Sequence, residues 1–549
     1  MMSSVACSPG CRMRWVGALL LVLAPLTSMA QEVVVLRDVR LFDGTGAPSR
    51  DHVDIVIRGT VIDRVEPTGT SPLPEAKSVD GRGTFVVPGL ISAHSHVGQV
   101  DGVSRVPENY NRENVLRQLR QYEVYGVTTI VALGTNQEPF YGIRREAHAG
   151  TIPGADLFGA DRGIGVRNGA PSAQVLPSAA DSVDRPQSVD EARAVVRQAK
   201  DRGTDLIKMW VDDSRGTMPK MTCEVYSAVI DEAHRLGLRV SAHLFNLQDA
   251  RGLVEAGVDI IAHGVRDQPV DRALIDLMKA KSVWYVATLA LDDASFVYAD
   301  RPAWMDEPFF RHSVQPALQK QFDDPAWREK TLAAPGLKNS REALKMNQRN
   351  LAILFESGVQ IGFGTDSGAM PLRIPGFAEH RELELMVEAG LTPAQALAIA
   401  TGRTADLLKL PDRGTIAAGV YTSPEIAQIG LTEGEAAALG RRCRVVTQPL
   451  AVVDRAVIDG AADGVLKLVL DARSERLLGA MLICDQATAL LPALGLLLRT
   501  KAKVSTLGAA GLAYPTLAGV FGKITDGLLR ERLTRPVRWL LRQRFRWLR

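Results

Sequence analysis

From about Gly89 to Gly402, short apolar runs rich in β-branched residues alternate with stretches whose apolar positions recur at helical spacing. The runs fall at 86–93, 128–134, 155–159, 206–210, 239–243, 259–263, 283–288 and 359–364. Helical patterns lie between them, as at 112–125, 189–202, 223–236 and 341–357. Eight strands alternating with helices over roughly 250 residues or more predict an α/β fold, a parallel (β/α)8 TIM barrel. A doubly wound sheet is the alternative. It fits less well, because the polar residues at the strand ends call for ends that converge on one rim.

Two stretches do not follow this alternation. Residues 31–87 read as a small β-rich unit with strands at 33–41, 53–58 and 61–65. Residues 290–339, between the seventh and eighth runs, form a long connection rich in Pro, Trp and Phe, whose aromatic content favours an ordered lid over a pocket, with a surface excursion as the alternative. After Gly419 the pattern changes. A helical 433–440, a hairpin-like pair 464–470 and 477–484, and Ala/Leu-rich helices predict a separate α+β unit of about 100 residues.

Composition narrows the class. With 46% hydrophobic and 23% charged residues in 549, the chain is that of an ordinary globular protein. Its net charge of +3 is unevenly spread: eight arginines and one acid, Glu531, lie between Arg530 and Arg549. The rest is mildly acidic, which argues against a nucleic-acid binder. Arg12 and Arg14 precede the apolar stretch 15–26, and Ser28-Met-Ala30 offers a cleavage site before Gln31. Residues 1–30 therefore predict a signal peptide and a secreted or periplasmic protein. Beyond it only Cys223, Cys443 and Cys484 remain, too few and too far apart for a disulfide framework.

The candidate chemistry sits at the predicted strand ends. His94 and His96 follow the apolar run Phe85-Val-Val-Pro-Gly-Leu-Ile91, in a chain of nine histidines. Residues i and i+2 of an extended strand point the same way, so both imidazoles can reach one metal ion. Later runs end in Lys208, His243, His263 and Asp366, and imidazole with carboxylate suits zinc or a similar divalent ion. A lysine among such ligands is electrostatically wrong as a cation. As a carbamate formed with carbon dioxide it becomes an anion.

The run Val87-Pro-Gly-Leu-Ile-Ser-Ala-His-Ser-His96, with Lys208, His243, His263 and Gly364-Thr-Asp-Ser-Gly368, resembles the metal-dependent amidohydrolase superfamily. The likeness covers about residues 33–419 and is greatest to the imidazolonepropionase-like and prolidase-like branch. It implies a barrel over 88–419, preceded by an incomplete β-sandwich. It also implies two divalent ions, one held by His94, His96 and Asp366 and the other by His243 and His263, with carbamylated Lys208 bridging them. Lys208 and Asp366 become the catalytic pair, Asp366 moving a proton from the attacking water to the leaving nitrogen. The expected substrate is a small amide: a dipeptide, an N-acyl amino acid or a cyclic amide. Arg266, Asp267 and His380 are candidate substrate contacts.

The stretch Val420-Tyr-Thr-Ser-Pro-Glu-Ile-Ala-Gln-Ile-Gly-Leu-Thr-Glu433 departs from that family. Together with 464–471, 476–484 and Tyr514-Pro-Thr-Leu517, it resembles the C-terminal dimerisation domain of pyridine nucleotide–disulfide oxidoreductases over about 420–530. That family's His-Pro-Thr motif has Tyr514 in place of histidine, and Gly519 stands where its glutamate is expected. The chain has no GxGxxG after a first strand and no redox cysteine pair, so neither FAD nor NAD is expected. The resemblance implies a homodimer. Two alternatives to a hydrolase are a relative of those oxidoreductases and an inactive dimerising scaffold. The tail 531–549 mixes arginine with Trp, Leu and Phe, and either contacts a membrane surface or docks on its own domain.

Overall fold

The computed structural model describes residues 33–531, apart from 59–60, 71–72, 74–75, 175, 181, 418–424, 432, 434–435, 437–438, 456–464, 485–486 and 509–515. The expected signal peptide, the basic tail after 531, Tyr514 and half of the expected 433–440 helix lie outside the described residues.

Strands Val33–Leu41, Arg50–Arg58 and Val61–Pro67 pair antiparallel, each with the next. Lys77–Asp80 and Phe85–Val86 add to the first strand in parallel. Alternation is only partial, because register shifts interrupt the first two strands and Val53–Val56 are buried in succession. Val39, Leu41, Val53 and Ile55 form a small core that Ile416, from far along the chain, completes. The Ile416 backbone N–H donates to Asp43 at 2.9 Å, tying the two ends of this region together.

The eight expected parallel strands are present. Leu90–Ser95, Val127–Leu133 and Asp156–Ala160 form one sheet in chain order. Ile207–Trp210, Val240–His243, Ile260–Ile261, Trp284–Val286 and Gln360–Gly362 form a second, also in chain order. Isolated parallel bridges stand at both junctions between the sheets, Ala160 with Leu206 and Ser95 with Ser367. These strands read as continuous apolar runs because both faces are covered. One face packs a small layer including Val131, Ala160, Ile260, Ala262 and Val286. The other meets the helices in the largest core of the chain. Caps set the helix starts: the Asn111 side chain accepts from the Asn114 N–H ahead of Arg112–Val124, and Ser188 does the same for Val189–Asp201.

The connection 290–339 is ordered, as its aromatic content suggests, but it is not a lid. It folds into short helices whose rings pack on one another: Tyr298 stacks on Phe322 at 4.8 Å between centroids, and Trp304 meets Phe310 edge-on at 5.1 Å. The last helix of this stretch, Leu337–Glu356, begins earlier than its periodicity suggests.

Beyond 424, strands Glu425–Gly430, Cys443–Pro449, Val465–Asp471 and Leu477–Cys484 make a separate antiparallel sheet. Helices Ala487–Thr500 and Gly519–Glu531 accompany it, and it has its own core, including Leu466, Leu468, Leu482, Val520 and Phe521. Among the described residues, no helix is long and apolar enough to cross a membrane.

Candidate metal centre

His94 is the penultimate residue of the fully buried strand Leu90–Ser95, and His96 follows one residue beyond its end. Opposite them, Asp366 sits just past Gln360–Gly362 in a left-handed backbone conformation, φ 61°. Two glycines allow the strand ends to touch. A Cβ on Gly368 would lie 2.1 Å from the His96 carbonyl oxygen, and one on Gly364 would lie 2.7 Å from the His94 Cβ. The Asp366 Oδ1 stands 3.1 Å from His94 Nε2 and 3.0 Å from His96 Nε2. The ligand atoms of all three lie within 4.8 Å of one another, a spacing one ion could span.

The remaining imidazoles close the ring. His243 and His263 have centroids 4.3 Å apart, and His263 lies 4.5 Å from His94. Three of the four histidines are anchored from behind. His94 Nδ1 meets the Ala262 carbonyl at 2.6 Å; a carbonyl can only accept, so Nδ1 carries the proton and Nε2 is left with a lone pair. His243 Nε2 donates to Asp212 Oδ2 at 2.8 Å, which leaves Nδ1 free, and His263 Nδ1 meets Thr288 Oγ1 at 2.9 Å. Such outer partners fix tautomer and orientation at metal sites.

The electrostatics favour neutral imidazoles. Burial pushes His94 down to about 3, with Lys208 adding to the effect, and burial followed by the His243 charge holds His263 well below its usual value. Although burial opposes it, Arg373 and the two histidines hold the Asp366 carboxyl well below the usual range. The Arg373 guanidinium pairs with Asp366 Oδ2. Lys208 is 1% exposed, and its Nζ has no hydrogen-bond partner. Burial brings its pKa down to about 7, with Asp366 pulling the other way. Near neutrality a sizeable share of this buried amine, which has no hydrogen-bond partner, is uncharged, the form that adds carbon dioxide. The donor set therefore fits divalent ions together with a carbamate.

All six residues line one cavity of about 470 Å³. Arg266 lines it too. Asp267 and His380 do not: Asp267 accepts from the Leu247 N–H at 2.9 Å, capping the helix Leu247–Ala256, and His380 Nε2 bonds the Tyr125 carbonyl at 2.8 Å. Of the long connection 290–339, only Leu291 reaches the cavity; its other walls include Leu176, Met218, Phe245 and Met370. Sequence reasoning missed Asp212, Thr288 and Arg373. Asp212 was within reach of it, since a carboxylate two residues past a strand end is what an anchored histidine needs. Arg373 carries no comparable signal.

Comparison with known proteins places these observations. The model of the amidohydrolase family matches residues 85–422. That of the pyridine nucleotide-disulphide oxidoreductase dimerisation domain matches 416–524. Among curated proteins, the chain is 40% identical to a dihydrolipoyl dehydrogenase of Thermus scotoductus over 99 residues, 18% of this chain and 22% of that one. It is 36% identical to one of Halobacterium salinarum over 107 residues, 20% and 23% of the two chains. The chain thus spans less than a quarter of the length of these relatives. Among solved structures, it is similar to a Xaa-Pro dipeptidase with bound methionine at TM-score 0.54 and 23% identity, covering 70% of this chain and 91% of that one. It is similar also to A. niger ochratoxinase, at 0.53 and 20%, over 72% and 89% of the two chains. At these identities the likeness is one of fold. The chain belongs to the amidohydrolase family and carries behind its amidohydrolase region a segment of the oxidoreductase dimerisation type.

Proposed function

We propose that the protein is a binuclear metal-dependent hydrolase that cleaves the C–N bond of a small amide. The observation that carries this reading is the convergence of His94, His96, Lys208, His243, His263 and Asp366 on one cavity, with the Lys208 amine buried and unpartnered. His94, His96 and Asp366 would hold one ion, His243 and His263 the other, and Lys208, as its carbamate, would bridge them. Zinc suits the nitrogen-rich set. Bound there, the ions would lower the pKa of water and polarise the scissile carbonyl. Asp366 takes the proton of the attacking water on its carboxylate and delivers it to the leaving nitrogen. The eight parallel strands close into a barrel over 88–419, with bridges at both sheet junctions in support.

Residues 420–530 act as a module that pairs two copies, and residues 1–30 direct export to the periplasm or the medium. The tail 531–549 could then rest on a membrane surface. The decisive experiment is metal analysis of the purified protein together with hydrolysis of an amide panel by wild type and Lys208→Ala. About two ions per chain, and turnover lost in the variant, are expected. A metal-free protein that hydrolyses nothing after zinc loading would overturn the reading and favour an inactive dimerising scaffold. Flavin absorbance would favour the oxidoreductase alternative.

A further inference from the structure

One side of the cavity gathers three arginines beside the carboxylates Asp212, Asp292 and Asp366, of which Asp212 is already bonded to His243. Arg215, Arg266 and Arg373 all line it. The first two approach the Phe245 ring, with guanidinium carbons 5.0 and 4.8 Å from its centroid. Burial raises the pKa of the buried Asp292 carboxyl, and all three arginines pull it the other way without overcoming that. Asp292 Oδ1 lies 3.3 Å from Arg266 Nη1, and its Oδ2 has no hydrogen-bond partner. Arg266 donates from Nη2 to the Leu244 carbonyl at 3.1 Å, and its buried Nε is unpartnered. Among the described residues, Arg373 has one ion pair, with Asp366. Asp366 is also the carboxylate that the proposed metal centre claims. Asp366 turns Oδ1 to the histidines and Oδ2 to Arg373, so an ion on Oδ1 would share that single negative charge and leave Arg373, which lines the cavity, only partly neutralised.

We propose that Arg373, supported by Arg266 and Arg215, binds a free carboxylate of the substrate. The enzyme would then act on N-acyl amino acids and on dipeptides with an open C-terminus rather than on cyclic or uncharged amides. This rests on the hydrolase reading above. The reach is right: in such substrates the α-carboxylate is one carbon from the scissile nitrogen, and Arg373 touches the residue assigned to protonate that nitrogen. The planar guanidinium fork matches a carboxylate with two parallel hydrogen bonds, which an ammonium cannot reproduce.

The test compares N-acyl amino acids with their C-terminal methylamides on the zinc-loaded full chain. Wild type is expected to favour the free acids by about 10–100-fold in kcat/KM, the worth of a charge-assisted pair. In Arg373→Met that ratio falls towards one, chiefly through KM, while Arg373→Lys keeps part of it. Equal use of both substrates by wild type, or an equal loss on both in Arg373→Met, overturns the proposal. If neither substrate turns over, the hydrolase reading fails by itself, and calorimetric titration with N-benzoylglycine decides the clamp. Binding by wild type that weakens at least tenfold in Arg373→Met sustains it. Absent or unchanged binding overturns it.

Discussion

The Asp212 carboxylate decides which nitrogen of His243 carries the proton, because it accepts from Nε2 at 2.8 Å. Although burial opposes it, the bond to His243 holds Asp212 well below the usual carboxylate range, so the partner stays an anion throughout the working pH range. Asp212→Ala should weaken zinc binding by about 10–100-fold, the usual cost of losing such a partner, and Asp212→Asn by less. Competition with a chromophoric chelator measures this, and unchanged affinity in Asp212→Ala would show that the contact is incidental. Glu382 behaves in the opposite sense. Its buried carboxyl accepts the Leu289 and Ala290 N–H groups at 2.9 and 2.7 Å, yet burial outweighs these bonds and raises it from 4.5 to about 8. The folded state therefore holds a proton that the unfolded chain releases between those values. The stabilisation is complete below pH 4.5 and falls as pH rises towards 8, by up to about 1.4 kcal/mol per pH unit. Thermal melts of Glu382→Gln should be flatter than wild type over that window; parallel curves would contradict the shift.

At the scale of elements, the turn after Trp284–Val286 combines strain with function. Thr288 has φ 52°, costly for a β-branched residue, and its hydroxyl meets His263 Nδ1 at 2.9 Å. Thr288→Gly should relieve about 1–2 kcal/mol of backbone strain while freeing His263, so Tm holds or rises as zinc affinity falls. A loss of both together would mean that the threonine serves packing alone. The strands were legible in the sequence because burial on both faces leaves unbroken apolar runs, and the ligands because they sit where those runs end. Asp267 and His380 were not resolved, since a polar residue past a strand can cap a helix as readily as bind, and the phase of a helix relative to a pocket is not written in its period. The connection 290–339 misled for a related reason: aromatic residues announce a cluster without saying what it covers.

Across the whole molecule, the apolar clusters divide cleanly. Those packing the N-terminal sheet and the parallel strands run from Val39 to Ile416, while the C-terminal cluster runs from Leu450 to Leu528 with no shared residue. Calorimetry of the full chain should therefore show two transitions, and removing zinc should move only one. A single cooperative transition would mean that the two parts fold as one. The change of family was readable from motifs near residue 420, but the return of Ile416 to the first sheet was not, because a lone apolar residue after a glycine turn names no partner. The anchored histidines have one further consequence. Their rings are held by Ala262, Asp212 and Thr288 through protein contacts alone, so the ordering entropy of the cradle is spent during folding and not when an ion arrives. Ion exchange then resembles docking into a rigid host: a chelator should strip the centre without unfolding the chain, and added zinc should restore it with no refolding lag.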